Sequence, residues 1–383
     1  MVAARRPPGG RVNIELSEVG VRQAADFESV PRRLFGATWP AWTPALPGDE
    51  RRLFDPARNP ALRGTAFTRW VARRGGGLAG RIAAFAPASP ADVGYFGLLD
   101  SVDDECVSGA LLHAAEEWLV ARGRRRLYGP VVVNLRDQIG LLVAGFDRPA
   151  TLLTPWNPPY CARLLHAGGF TAAIGLRSYA WTPEIADPRG LLALCARLER
   201  RGGVRLRPLH LRALDRETAL IADLVNRSFG ATWGYAPIGS EEAADLARHL
   251  RPIIDPAIVH IAEDDRGPCG VALSLPDANW LMRAIGGRLW PLGWLRLLRL
   301  RHRIPWARFM ALAVLPGRRA TGIVARLIGA THRAWLARGY EYAELSQVFD
   351  DNEMMRRVIE RMGLPEIKRY AVFTRWAGGG GTA

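Results

Sequence analysis

The chain repeats one order of elements at a spacing of about half its length, which points to a duplicated architecture. In the first copy, Trp118-Leu-Val-Ala-Arg-Gly123 closes a helical pattern and a strand pattern follows at residues 127–133. In the second, Trp335-Leu-Ala-Arg-Gly339 precedes a strand pattern at 342–348. Downstream, residues 160–170 match 354–364, each a short helical pattern that ends on glycine. Each copy then runs into a last strand, at 176–181 and 368–376. An Ala-Arg-Gly string arises easily by chance in an arginine-rich chain, but four elements recurring in order make chance the weaker explanation.

The second copy carries a recognisable anion site. Phe309-Met-Ala-Leu-Ala-Val314 is an apolar run of strand length, broken by Leu315-Pro-Gly-Arg-Arg-Ala-Thr-Gly322. From Ile323 the apolar residues Val324, Leu327, Ile328 and Trp335 recur at helical spacing. Arg338-Gly339 supplies the cation and the glycine expected at a helix end. First-turn N–H groups lack partners inside a helix and the helix dipole adds to them, so such a loop attracts anions. With Arg318 and Arg319 on the loop and no acidic residue between Arg308 and Arg338, the anion expected is a pyrophosphate.

This strand, R-x-x-G-x-G/A loop and helix resemble the acyl-CoA signature of the GNAT acyltransferase superfamily. Arg319, Gly322 and Val324 hold the three defining positions, with valine where a small residue is usual. Asn352–Gly363 resembles the next helix of that fold, and Ile359 stands where many members carry a tyrosine general acid. The resemblance implies an α/β protein (a mixed α+β sheet) made of two tandem GNAT folds. It implies acyl-CoA or acetyl-CoA as donor, held by the backbone of Leu312, Ala313 and Val314 and by Arg318, Arg319, Ala320, Thr321, Gly322, Ile323 and Val324, with Asn352 beside them. Gly129–Asn134, Pro155–Tyr160 and Pro276–Asn279 further resemble a bacterial two-domain subgroup, a match running from Val12 to Trp376. Some members of that subgroup are proposed ceramide synthases, which join a fatty acyl-CoA to a long-chain amine.

The expected division is a disordered basic tail (1–11), a first GNAT-like domain (12–183), a linker helix (184–203), a second domain with the acyl-CoA site (204–376) and a flexible tail (377–383). In the first domain the place of the phosphate loop is taken by Asp100-Ser-Val-Asp-Asp-Glu-Cys106. Carboxylates suit a helix start but would repel a pyrophosphate, so one active site per chain is expected. The net charge of +15 favours anionic partners, yet Lys368 is the only lysine. That skew resembles a coding bias more than a nucleic-acid signature, and nucleic acid is the last of the partner readings. Four scattered cysteines, no apolar leader and no membrane-length apolar run point to a cytoplasmic protein.

Acyl transfer to an amine needs a base, a place for the developing oxyanion and an acid for the leaving thiolate. Glu344 is the candidate base, on the same strand face as Tyr342 and Ser346; a buried structural ion pair is the competing role. Asp277 and Asn279 are second candidates, for the acceptor. Tyr370 is the candidate acid, with a core role as its alternative, and Asn352 has helix capping as its commoner job. The seven histidines show no metal spacing, so no metal is expected. Residues 280–306 mix tryptophans and leucines with six arginines. They form either a flap between the domains or a face that meets the inner membrane peripherally, which would suit a lipidic amine acceptor. The alternatives to a lipid N-acyltransferase are a small-molecule N-acetyltransferase and a non-catalytic acyl-CoA or lipid binder.

Overall fold

The computed structural model describes residues 13–20, 23–45, 48–133, 138–185, 189–201, 203–230, 232–318 and 322–379. Arg319, Ala320, Thr321, Asn134, Asp187, the 1–11 segment and residues 380–383 lie outside the described residues. The strands are β1 (Ile14–Glu18), β2 (Thr65–Arg74), β3 (Gly77–Pro87), β4 (Val93–Ser101), β5 (Arg126–Gly129), β6 (Leu141–Ala144) and β7 (Thr171–Trp181), then β8 (Arg205–Pro208), β9 (Val259–Asp264), β10 (Gly267–Pro276), β11 (Trp306–Val314), β12 (Tyr342–Phe349) and β13 (Glu366–Trp376). The helices are α1 (Ala24–Phe35), α2 (Asp49–Leu53), α3 (Glu105–Val120), α4 (Cys161–Ala167) and α5 (Arg189–Arg201), then α6 (Leu214–Phe229), α7 (Ser240–Leu250), α8 (Ala278–Ala284), α9 (Gly293–Leu300), α10 (Ile323–Ala337) and α11 (Glu353–Arg361).

The thirteen strands among the described residues form one sheet, in the order β1-β2-β3-β4-β5-β13-β7-β12-β11-β10-β9-β8, with β6 on β13. The repeated order of the sequence is visible as repeated pairing. In each half an antiparallel run ends in a parallel pair, β4 with β5 and β11 with β12, joined by a crossover helix, α3 or α10. Strand residues alternate between the two sheet faces. Ile82 and Ala84 of β3 pack under Val107 and Leu111 of α3, while Ala83 and Phe85 pack under Phe27 and Val30 of α1. Helices on both faces explain why β3 is apolar almost throughout.

The closing strands are exchanged between halves. Strand β7, the last of the first half, pairs with β12 of the second. Strand β13, the last of the second, pairs with β5 of the first. The two exchanged strands pair with each other at the centre of the sheet, from Glu366↔Tyr179 to Thr374↔Thr171. The strand expected over 127–133 stops at Gly129, because Pro130 brings no N–H to the ladder. The 280–306 stretch is two short helices, α8 and α9, on a connection held to the first half. Arg32 of α1 donates to the carbonyls of Gly286 and Gly287, at 3.3 and 3.2 Å.

Candidate active site

The β11–β12 ladder runs from Trp306↔Tyr342 to Phe309↔Leu345 and ends there. Beyond it β11 stays with β10 (Leu312↔Ala272, Ala313↔Val271) and β12 stays with β7 (Val348↔Arg177), so the two strands diverge. Leu312, Ala313 and Val314 are on the open side of that divergence. Helix α10 starts beyond its end at Gly322, whose φ of +78° is a left-handed value that L side chains avoid. A Cβ added there would lie 2.5 Å from a methyl carbon of Leu198 on α5, so the linker helix packs against the opening turn. Arg318 pairs with Asp264 at 3.1 Å. Ile323 is fully buried and Val324 half-buried against the core. Asn352 caps α11, its side-chain oxygen accepting from the Met355 N–H at 3.2 Å.

Where the first half would have the same opening, its own chain fills it. The Val131 N–H donates to the Phe96 carbonyl at 2.7 Å, past the end of the β4–β5 ladder. The backbones come so close that a Cβ on Gly97 would lie 2.5 Å from the Val131 oxygen, and one on Gly129 2.5 Å from the Phe96 oxygen. Asp104 caps α3, accepting from the Cys106 and Val107 N–H groups.

At the base of the β11–β12 divergence lies a buried polar cluster. Glu344 on β12 pairs with Lys368 on β13, Oε2 to Nζ 2.7 Å, and their side chains are 0% and 1% exposed. Lys368 Nζ also donates to the Pro149 carbonyl at 2.7 Å. Arg308, opposite Glu344 in the ladder, donates from Nε to Ser346 Oγ at 3.0 Å, and from a terminal nitrogen to the Leu152 carbonyl. Burial lowers the Arg308 pKa and the Glu344 carboxylate opposes the drop. Asp277 caps α8: its Oδ1 accepts from the Leu152 and Asn279 N–H groups at 2.7 and 3.1 Å, and Oδ2 faces Arg283 at 3.4 Å. Burial pushes Asp277 up to about 6, against Arg283 and those two donors. Asn279 donates to the Thr151 carbonyl at 2.8 Å.

The structure therefore brings Glu344, Tyr370 and Asp277 into one neighbourhood, while Asn352 serves a separate helix. Glu344 is not in an apolar setting, since Lys368 meets it directly. The Tyr370 hydroxyl is buried beside Thr154 and Ser178, and burial first, then Glu344, raises its pKa well above the usual phenol. Glu344 Oε1 is buried without a hydrogen-bond partner. Buried polar atoms rarely stay unsatisfied in a folded protein, and this one lies in the neighbourhood of the Tyr370 phenol. Sequence reasoning missed Lys368 and Arg308. The signal for the first was present: the chain has a single lysine, and it falls near the start of the last strand.

Residues 150–154 form a thin wall over this cluster, and on their far side lies a cavity of about 560 Å³. It opens between the halves, with Leu98, Leu141 and Leu152 from the first and Leu250, Leu281 and Met282 from the second. Arg81, 3% exposed, closes one end through Glu50 and Asp100, at 2.6 Å each.

The fold is that of two tandem GNAT domains. A tandem GNAT protein of clavulanic acid biosynthesis, solved without acetyl-CoA, superposes over 96% of this chain and 100% of its own, with a TM-score of 0.58 and 17% identity. A probable N-acyltransferase from Enterococcus faecalis V583 covers 96% of this chain and 73% of its own, with a TM-score of 0.52 and 10% identity. Among curated proteins, the bacterial ceramide synthase of Caulobacter vibrioides is 30% identical over 388 aligned positions, 96% of this chain and 99% of the relative. Protein YghO of Escherichia coli K12 is 29% identical over 88% of both chains. No family model matches. The chain belongs to the family of the Caulobacter bacterial ceramide synthase.

Proposed function

We propose that this N-acyltransferase takes a fatty acyl group from acyl-CoA and delivers it to the primary amine of a long-chain, sphingoid-type lipid, with one site per chain. The observation that carries the reading is the apolar cavity between the halves. Its volume of about 560 Å³ falls within the roughly 300–1,000 Å³ typical of small-molecule sites, and only the 150–154 wall separates it from the polar cluster.

The donor supplies an acyl thioester, whose carbon forms the new C–N bond as its C–S bond breaks. The α10 opening turn, with Gly322 and the Arg318–Arg319 cations, would hold the pyrophosphate. The β11 backbone at Leu312–Val314 would face the thioester arm. Glu344 receives the proton released by the attacking amine on Oε1, the oxygen that Lys368 leaves free. Tyr370 returns a proton to the departing sulfur; its raised pKa keeps it protonated until then. Asp277 and Asn279 fix the wall between cavity and cluster. On the same reading, residues 280–306 face a membrane.

The test is thiol release with palmitoyl-CoA or acetyl-CoA against a long-chain and a short amine. Turnover of the long pair is expected, and Met282→Trp should reduce it selectively by filling the cavity. Turnover of acetyl-CoA with short amines only would make this a small-molecule N-acetyltransferase. Donor binding without turnover of any pair would make it a non-catalytic binder.

A further inference from the structure

We infer that α9 and the turn before it form a docking surface for an anionic phospholipid bilayer, and that the long-chain acceptor enters the cavity from that bilayer. The inference rests on the lipidic-acceptor reading for its second part only. Twelve large apolar residues are exposed among the described ones, and five of them fall within residues 290–298. Trp290 is 82% exposed, Leu292 68%, Trp294 and Leu298 44%, and Leu295 37%. With 3.6 residues per turn, Trp294, Leu295 and Leu298 share one arc of α9, and Arg296 and Arg299 continue it on one side. The opposite arc, Leu297 and Leu300, packs onto Leu281, Met282 and Ile304, so α9 is seated on the protein by one face and unpartnered on the other.

Charge selects the occupant. Arg288, Arg296, Arg299, Arg301 and Arg303 flank the apolar arc, and none of them makes an ion pair among the described residues, whereas Arg81, Arg177 and Arg207 each pair with two carboxylates. No aspartate or glutamate occurs between Asp277 and Glu341. An apolar arc with tryptophans, rimmed by unpaired arginines, matches the acyl–headgroup boundary of a bilayer rich in anionic lipid. No helix among the described residues is long and apolar enough to cross a membrane, so the contact is peripheral. The surface is also continuous with the cavity. Leu297 and Arg301 of the docking segment line the cavity itself, next to Leu250, Ile253 and Met282. A chain leaving the leaflet at α9 would pass from apolar arc to apolar lining with its amine at the polar end.

The test is co-sedimentation of the full chain with phosphatidylcholine vesicles, with and without phosphatidylglycerol, at low and high salt. Binding is expected only with phosphatidylglycerol and should weaken as salt rises. The double variant Trp290→Glu/Leu292→Glu alters two highly exposed side chains outside the cavity. It should weaken vesicle binding at least tenfold and cut turnover of a vesicle-embedded amine, but leave turnover of a detergent-dispersed amine unchanged. Absence of vesicle binding, or equal binding by the variant, overturns the docking surface. A wild-type dimer that the double variant converts to monomer overturns it too, because the arc then covers a second copy of the chain. Vesicle binding by an enzyme that uses only short, soluble amines keeps the docking surface and refutes delivery from the bilayer, which also separates failure of this inference from failure of the lipidic-acceptor reading.

Discussion

Replacing Lys368 by methionine leaves the Glu344 carboxylate buried without its cation. The pair lies 2.7 Å apart with side chains 1% and 0% exposed, so water cannot screen either charge. Removing one partner of such a pair costs about 3–5 kcal/mol, because the remaining charge stays desolvated. The Pro149 carbonyl loses its donor as well, so a loss of about 4 kcal/mol is expected. Over 383 residues, an unfolding entropy of about 2 cal/mol/K per residue converts a loss of about 4 kcal/mol into a fall of about 5 °C in Tm. The double variant Glu344→Gln/Lys368→Met removes both charges and should recover most of that loss. The assay is urea unfolding followed by tryptophan fluorescence, completed as a double-mutant cycle. A cost below about 1 kcal/mol for Lys368→Met, or additive single effects, would refute the argument that the pair is desolvated and coupled.

Three further outcomes are expected. Asp277 has its folded pKa raised from 3.8 to about 6, so its protonated form stabilises the fold below pH 3.8 and that contribution is lost as pH rises through 6. Asp277→Asn keeps an acceptor for the Leu152 and Asn279 N–H groups and should flatten stability between pH 4 and 6, by roughly 3 kcal/mol at most; an unchanged profile would show that Asp277 does not titrate there. Gly322→Ala should cost about 1–2 kcal/mol from its left-handed φ alone, plus the Leu198 contact, and adding Leu198→Ala should restore only the second part in thermal unfolding. Residues 12–183 and 204–376, expressed separately, should each fail to give a folded monomer, because β12 lacks β7 in one piece and β5 lacks β13 in the other; a soluble, cooperatively unfolding half would contradict this.

The sequence shows what depends on neighbours along the chain. Helix α10 with its glycine start and the Asx-type cap at Asn352 each announce themselves within a few residues, through period and turn chemistry. The strand exchange does not, because Phe373↔Gly129 and Trp376↔Arg126 join segments from opposite halves and no local pattern encodes which partner a strand takes. The cavity is hidden for the same reason, since each half supplies only one wall. Glu344 illustrates the intermediate case. Its strand and its facing neighbours follow from alternation, but its partner Lys368 arrives on an exchanged strand and could be suspected only from being the one lysine.

The path of the chain after β5 also links what lies beyond the two parallel ladders. In the first half, Val131 returns alongside Phe96 and occupies the space beyond the parallel ladder, helped by glycines at positions 97 and 129 that admit backbone against backbone. The chain that leaves that closed slot then bridges Val131 with Ile139, supplies β6 to β13, and runs through residues 149–154 over Glu344, Lys368 and Arg308. Filling one slot and walling the other are thus done by successive parts of one segment. Reopening the first slot for a donor would withdraw the backbone that fixes β6 and, through the Pro149 and Leu152 carbonyls, the groups that hold Lys368 and Arg308 in place. An acyl-CoA site in the first half and an assembled polar cluster in the second are, on this geometry, alternatives for the same stretch of chain.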